Sequence, residues 1–133
     1  MKEFHLEILT PDGLAYKGMV ESLLVHAVDG DVEFLAGHVN YITTLGIGKA
    51  RIKIEGKDRF ASVSGGFVTV TAGEVKLIST TFEFAENIDI ERAKNAKVKA
   101  MGILASSKDN KAVEIAQLKL QRAISRIKVA ELK

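Results

Sequence analysis

Phe4, Leu6 and Ile8 alternate with His5 and Glu7, a period of two that predicts a half-buried strand. Thr10-Pro11-Asp12-Gly13 then predicts a turn, since proline presets the second turn position and glycine closes it, so residues 14–17 return as a short paired strand. Residues 20–28 read as one further strand and Asp29-Gly30-Asp31 as a turn. A short strand at 32–35 leaves into Ala36-Gly37-His38, and 41–45 reads as strand again. Ala50, Ile52 and Ile54 alternate with Arg51, Lys53 and Glu55 before Gly56-Lys57-Asp58 reverses the chain into residues 60–64, the clearest hairpin. After Gly65-Gly66 come Phe67, Val68 and Val70, a turn at Ala72-Gly73-Glu74, and a strand over 75–81. Strands recurring at roughly eight-to-twelve-residue spacing predict a small antiparallel β-sandwich.

From Ile88 onward the period changes to that of a helix. Ile90, Ala93, Ala96 or Lys97, Ala100 and Leu104 share one stripe, with Asn87 or Asp89 available as cap. After the polar connection Ser106-Ser107-Lys108-Asp109-Asn110, a second stripe runs through Val113, Ala116, Leu120, Ala123, Ile127 and Ala130. Lys119, Arg122 and Arg126 form a separate stripe on that second helix. So short a connection returns the helices antiparallel. Stripes made largely of alanine bury little area, which makes the packed hairpin only about a few kcal/mol more stable than an opened one. A permanently folded cap fits the same pattern. The expected organisation is an N-terminal β-sandwich over residues 1–86 followed by a two-helix hairpin over 87–133.

A chain of 133 residues, 47% of them hydrophobic, suffices for one ordinary core and an appendage. Its net charge of +2 conceals a division. Residues 1–87 hold 8 Lys/Arg against 12 Asp/Glu, giving −4, whereas 88–133 hold 11 against 5, giving +6. A basic helical segment points to an anionic partner, which could be a nucleotide phosphate, an acidic protein surface, nucleic acid or anionic lipid, or else to a merely solvated face. There is no cysteine, hence no disulfide or thiolate chemistry. The start Met1-Lys2-Glu3-Phe4-His5 is no signal peptide, and no run of about 18 apolar residues could span a bilayer, so a soluble or peripheral protein is expected.

Catalytic constellations are absent from the pattern. His5, His26 and His38 lie in separate segments without metal-ligand spacing, and Asp29-Gly30-Asp31 lacks the rest of a calcium loop. Ser64-Gly65-Gly66 lacks the strand-turn-helix setting of a nucleophile elbow. Gly65-Gly66 also precedes no helix, so it reads as a bulge or a close backbone approach and not as a phosphate loop. Neither an enzyme nor a metal site is expected. The acidic, aromatic-poor sandwich also disfavours nucleic acid as a partner.

Taken together, Thr10-Pro11-Asp12-Gly13, Gly37-His38, Val63-Ser64-Gly65-Gly66-Phe67, Ile88-Asp89 with Arg92-Ala93, and the basic end Ser125-Arg126-Ile127-Lys128-Val129-Ala130-Glu131 resemble the epsilon subunits of bacterial F-type ATP synthases over the whole chain. The resemblance implies a non-catalytic central-stalk component, peripheral on the cytoplasmic face of the cell membrane. The sandwich would clamp onto the gamma subunit and the ring of c subunits, with Asp31 and His38 at matching positions. The hairpin would inhibit ATP hydrolysis by opening and inserting toward the catalytic alpha and beta subunits, with Lys119, Arg122, Arg126 and Lys128 meeting acidic side chains. A single helix of about 40 residues would reach roughly 60 Å.

Bacillus-type relatives in this family also bind ATP, with or without Mg, as a regulatory ligand in the folded hairpin. Glu83, Ile88, Asp89, Arg92, Ala93, Arg122 and Arg126 match that motif, and Lys99 stands where those relatives carry arginine. Lysine keeps the charge and loses the bidentate fork. The loop before Gly37-His38 also departs from the family's Gly-Ile-Leu-Pro, and Asn40 replaces a proline, so a less rigid loop is expected. A stand-alone nucleotide sensor or helical adaptor without a rotor role is the rival reading.

Overall fold

The computed structural model describes residues 2–132; Met1 and Lys133, the outer ends of the two expected domains, lie outside the described residues. The strands are β1 (Phe4–Thr10), β2 (Gly13–Val20), β3 (Ser22–Ala27), β4 (Gly30–Leu35), β5 (Tyr41–Thr44), β6 (Ile47–Ile54), β7 (Lys57–Ser64), β8 (Phe67–Thr71), β9 (Glu74–Ile78) and β10 (Thr81–Phe84). A 3-10 turn at Ala85–Asn87 leads into α1 (Ile90–Ser106) and α2 (Asn110–Ala130). One sheet has the order β2-β1-β9-β8-β5, the other β10-β7-β6-β3-β4. Their facing sides enclose Leu6, Ile8, Val20, Leu23, Phe34, Ile52, Val68 and Leu77, all fully buried.

The expected sandwich is present with one difference of direction. β1 pairs with β9 in parallel, Leu6 opposite Val75, although every other named pairing among the described strands is antiparallel. A period of two carries no information on strand direction, so only the tertiary arrangement reveals it.

The remaining differences lie at corners between the sheets and in hairpin turns within them. Residues 20–28 are not one strand: the chain breaks at Glu21, whose N–H donates to the Lys53 carbonyl (2.8 Å) and whose carboxylate accepts from the Gly56 N–H (2.6 Å). Residues 75–81 likewise divide at Ser79, whose hydroxyl lies within 3.1, 3.0 and 2.7 Å of the Ser64, Gly65 and Thr81 carbonyls. At another corner Gly66 is the close backbone approach that the sequence suggests. A Cβ there would stand 1.9 Å from the Ile78 carbonyl oxygen, at φ +93°. The turns expected at 56–58 and 72–74 are tighter two-residue turns, Glu55-Gly56 (φ 50° and 78°) and Ala72-Gly73 (φ 51° and 79°). Paired left-handed residues match the right-handed twist of the flanking strands.

The hairpin begins where Asp89 accepts from the Arg92 N–H (3.1 Å), and α2 begins likewise at Asp109, accepting from Lys111 N–H (3.1 Å). Small residues meet between the helices, with Ala93, Ala100, Ala116 and Ala123 buried. α2 rests on β6 and β7. The Ser62 and Ser125 hydroxyls bond there at 2.8 Å, and Val129 and Ala130 pack with Ala85, Ile88, Phe60 and Ile90. The Arg59 guanidinium lies 3.6 Å over the Phe84 ring and also bonds Glu86, which ties the 3-10 turn to β7.

Candidate functional site

A cleft of about 660 Å³ opens between the hairpin and one end of the sandwich. Helical periodicity supplies its first wall: Asp89, Arg92, Ala93, Ala96, Lys99, Ala100 and Ile103 recur at three and four residues along α1. α2 supplies Lys119, Arg122 and Arg126, again at three and four. The floor comes from Thr80, Thr81, Phe82 and Glu83 at β10 and from Asn87 and Ile88 after the 3-10 turn, with Thr10 and Asp12 of the β1–β2 turn at the rim.

All eight residues that the resemblance singles out for a nucleotide therefore line one cavity: Glu83, Ile88, Asp89, Arg92, Ala93, Lys99, Arg122 and Arg126. Sequence reasoning missed Phe82, Thr80, Thr81, Thr10 and Asp12, which only the sandwich topology brings there. Ala96 and Ile103 carry a signal in the sequence, since they extend the stripe of Arg92 and Lys99.

Five cations face three carboxylates in this cavity, and two of the carboxylates are already engaged. Glu83 accepts from Arg126 Nε at 2.5 Å, and Asp89 is spent on the N-terminus of α1. Arg122 Nε donates to the Ser64 hydroxyl at 2.8 Å. Both arginines thus turn Nε toward the sandwich, which leaves their terminal nitrogens as forks for an anion. Phe82, Ile88 and Ile103 add an apolar wall suited to a planar ring. The donor set fits a polyphosphate bearing an aromatic group. It does not offer Mg a carboxylate cluster, and among the described residues no three His, Asp or Glu side chains converge on a metal-sized site.

Lys128 does not share the cleft. It lies on another side of α2 with Ile124 and Ser125, near Leu132 just beyond the helix, facing Ile47 and Lys49 of β6. Asp31 and His38 are farther still, on and just beyond β4, at the opposite edge of the sheet from β10. Asp31 bonds His26 Nδ1 at 2.9 Å, while His38 Nδ1 bonds the Val39 carbonyl at 2.8 Å and its ring sits 5.0 Å from Phe34 and 5.7 Å from Tyr41. The loop there is less loose than its missing proline suggests, because the Asn40 side chain accepts from the Ala72 N–H at 3.1 Å. Among the described residues no helix is long and apolar enough to cross a membrane.

Residues 3–85 match the family model described as ATP synthase, Delta/Epsilon chain, beta-sandwich domain, and residues 86–131 match ATP synthase, Delta/Epsilon chain, long alpha-helix domain. The ATP synthase epsilon chain of Caldicellulosiruptor saccharolyticus is 40% identical over 131 residues, 98% of this chain and 96% of the relative. That of Bacillus velezensis is 40% identical over 130 residues, 98% of each chain. A chain of the Euglena gracilis mitochondrial ATP synthase, solved as OSCP/F1/c-ring, has the same fold with a TM-score of 0.82 at 23% identity, covering 98% of this chain and 82% of that one. A chain from the central stalk and c-ring of the Tetrahymena thermophila mitochondrial enzyme gives a TM-score of 0.69 at 10% identity, covering 97% of each.

Proposed function

The chain belongs to the ATP synthase delta/epsilon chain family, and from that premise we propose that it is the epsilon subunit of a bacterial F-type enzyme, with residues 1–86 as the rotor-binding part and 87–133 as an ATP-sensing brake. The subunit is non-catalytic. It joins the gamma subunit and c-ring through the sandwich, with Asp31 and His38 at that contact, and meets the membrane only through the complex on its cytoplasmic face.

One observation carries the regulatory part: two of the cations expected to hold ATP, Arg122 and Arg126, are also expected to reach the catalytic subunits, and the cleft adds Lys119 from that second set. Lys119, Arg122 and Arg126 all face the cleft of the folded hairpin. They cannot serve a phosphate chain and an acidic protein surface together. ATP bound in the cleft therefore favours the folded hairpin by its differential affinity for the two forms, and scarcity of ATP frees the stripe for the alpha and beta subunits. Lys128 faces elsewhere and belongs to the opened form alone.

The test adds the full-length chain, or its Arg92→Ala variant, to a catalytic head depleted of this subunit and follows ATP hydrolysis at low and high ATP. Wild type should inhibit at low ATP and release at high ATP, while Arg92→Ala should stay inhibitory at both. Failure of either chain to bind the head would sink the rotor assignment. Equal relief of both by ATP would sink the sensor.

A further inference from the structure

We propose that Ser64 is a positioning residue of the cleft, orienting Arg122 toward a bound phosphate chain without neutralising it; this rests on the reading of the cleft as a nucleotide site. Arg122 and Arg126 lie one helical turn apart and present Nε to the sandwich in the same way, but to different acceptors. Arg126 meets a carboxylate, so its charge is balanced before any ligand arrives. Arg122 meets a neutral hydroxyl, and among the described residues it has no carboxylate within ion-pair distance. Its fork reaches the cleft aimed and with its full charge.

The sheet, not the helix, fixes where that hydroxyl stands. Ser64 is the last residue of β7, 3% exposed, paired with both Ile47 and Thr81. Its carbonyl accepts from the Ser79 hydroxyl at 3.1 Å, and the chain beyond it is wedged at Gly66 against the Ile78 carbonyl. A hydroxyl so held pins a guanidinium that would otherwise sample many rotamers, and lost rotamer freedom is then met on folding instead of on binding.

The test titrates ATP into the full-length wild-type chain and into its Ser64→Ala, Ser64→Thr, Arg122→Ala, Ser64→Ala with Arg122→Ala, Arg92→Ala and Arg126→Ala variants. Ser64→Ala should weaken ATP binding about tenfold, the size of one hydrogen bond to a charged group. Ser64→Thr, which retains the hydroxyl, should recover most of it. In the Arg122→Ala background Ser64→Ala should add nothing, because its action runs through that guanidinium. Equal weakening by Ser64→Ala in both backgrounds would show a merely structural serine and overturn the role, as would an unchanged affinity in Ser64→Ala when Arg122→Ala loses affinity. Wild-type affinity in both Arg92→Ala and Arg126→Ala would overturn the nucleotide reading itself, and this role with it.

Discussion

The two interfaces of this molecule are built from different side chains. Between the sheets, Leu6, Ile8, Phe34, Ile52 and Leu77 are fully enclosed, whereas between the helices the buried residues are Ala93, Ala100, Ala116 and Ala123. Each large aliphatic or aromatic side chain contributes about 1.5–3 kcal/mol on burial and an alanine much less, so the sandwich is committed to one structure and the hairpin is held by little apolar area. Beyond the apolar seat of Val129 and Ala130 against Ala85, Ile88 and Phe60, the links that fasten the hairpin to the sandwich are polar: Arg126 to Glu83, Arg122 to Ser64 and Ser125 to Ser62. Polar links exchange with water at small net cost and are open to competition by a charged ligand, which is the property a reversible clasp requires.

The contrast is broken most strongly from the sandwich side. Leu6→Ala should destabilise the whole chain by about 2–5 kcal/mol in urea unfolding, because the cavity lies between two sheets that cannot close on it. Ala123→Leu tests the other interface. Added methylenes between the helices should cost about 1–3 kcal/mol and open the hairpin, seen as faster amide exchange in α2, with the urea midpoint of the sandwich unchanged. Glu83→Gln should loosen the hairpin less, by about 1 kcal/mol, since its ion pair is partly solvent-exposed, and high salt should erase most of the difference between wild type and variant.

The smallest effect expected is one of pH. Burial of Tyr16 raises its hydroxyl above the ordinary value of 10.0, Glu3 and Glu55 add to this, and only Arg59 opposes it. With the folded value raised, the unfolded chain loses its proton first, so stability is intact below pH 10 and falls as pH rises above it. Tyr16→Phe should flatten that alkaline slope in thermal melts and leave the neutral range unchanged.

Alternation and stripes announce which residues face inward, and on that ground the strands of the sandwich and both helices were legible. Thus Phe4, Leu6 and Ile8 are buried together as their period requires, and the alanines of both helices meet. Apart from the close approach at Gly66, the corners were not legible. Val20 and Leu23 look like one strand because each is apolar, yet between them Glu21 turns the chain from one sheet to the other through bonds to Lys53 and Gly56, partners remote in sequence. Direction was equally hidden at β1 and β9. The cleft was legible through the family resemblance and not through spacing, since Glu83 on a strand and Arg126 on a helix share no local pattern. Ser64 stands in 63–67, one of the stretches that carry the family resemblance, and gives no sign there of its link to Arg122, because a short hydroxyl becomes informative only once the helix is laid over it.

The parallel pairing of β1 with β9 also bears on how the chain comes into being. During synthesis β1 emerges first, yet it must lie between β2 and a strand that is the ninth to be made. Contacts so distant in sequence are slow to form, whereas helices complete their bonds locally. The seat of the helical hairpin lies instead on β6 and β7 of the other sheet, joined by a two-residue turn, so the face that α2 covers is assembled from neighbours in sequence while the sheet containing β1 still waits for its ninth strand.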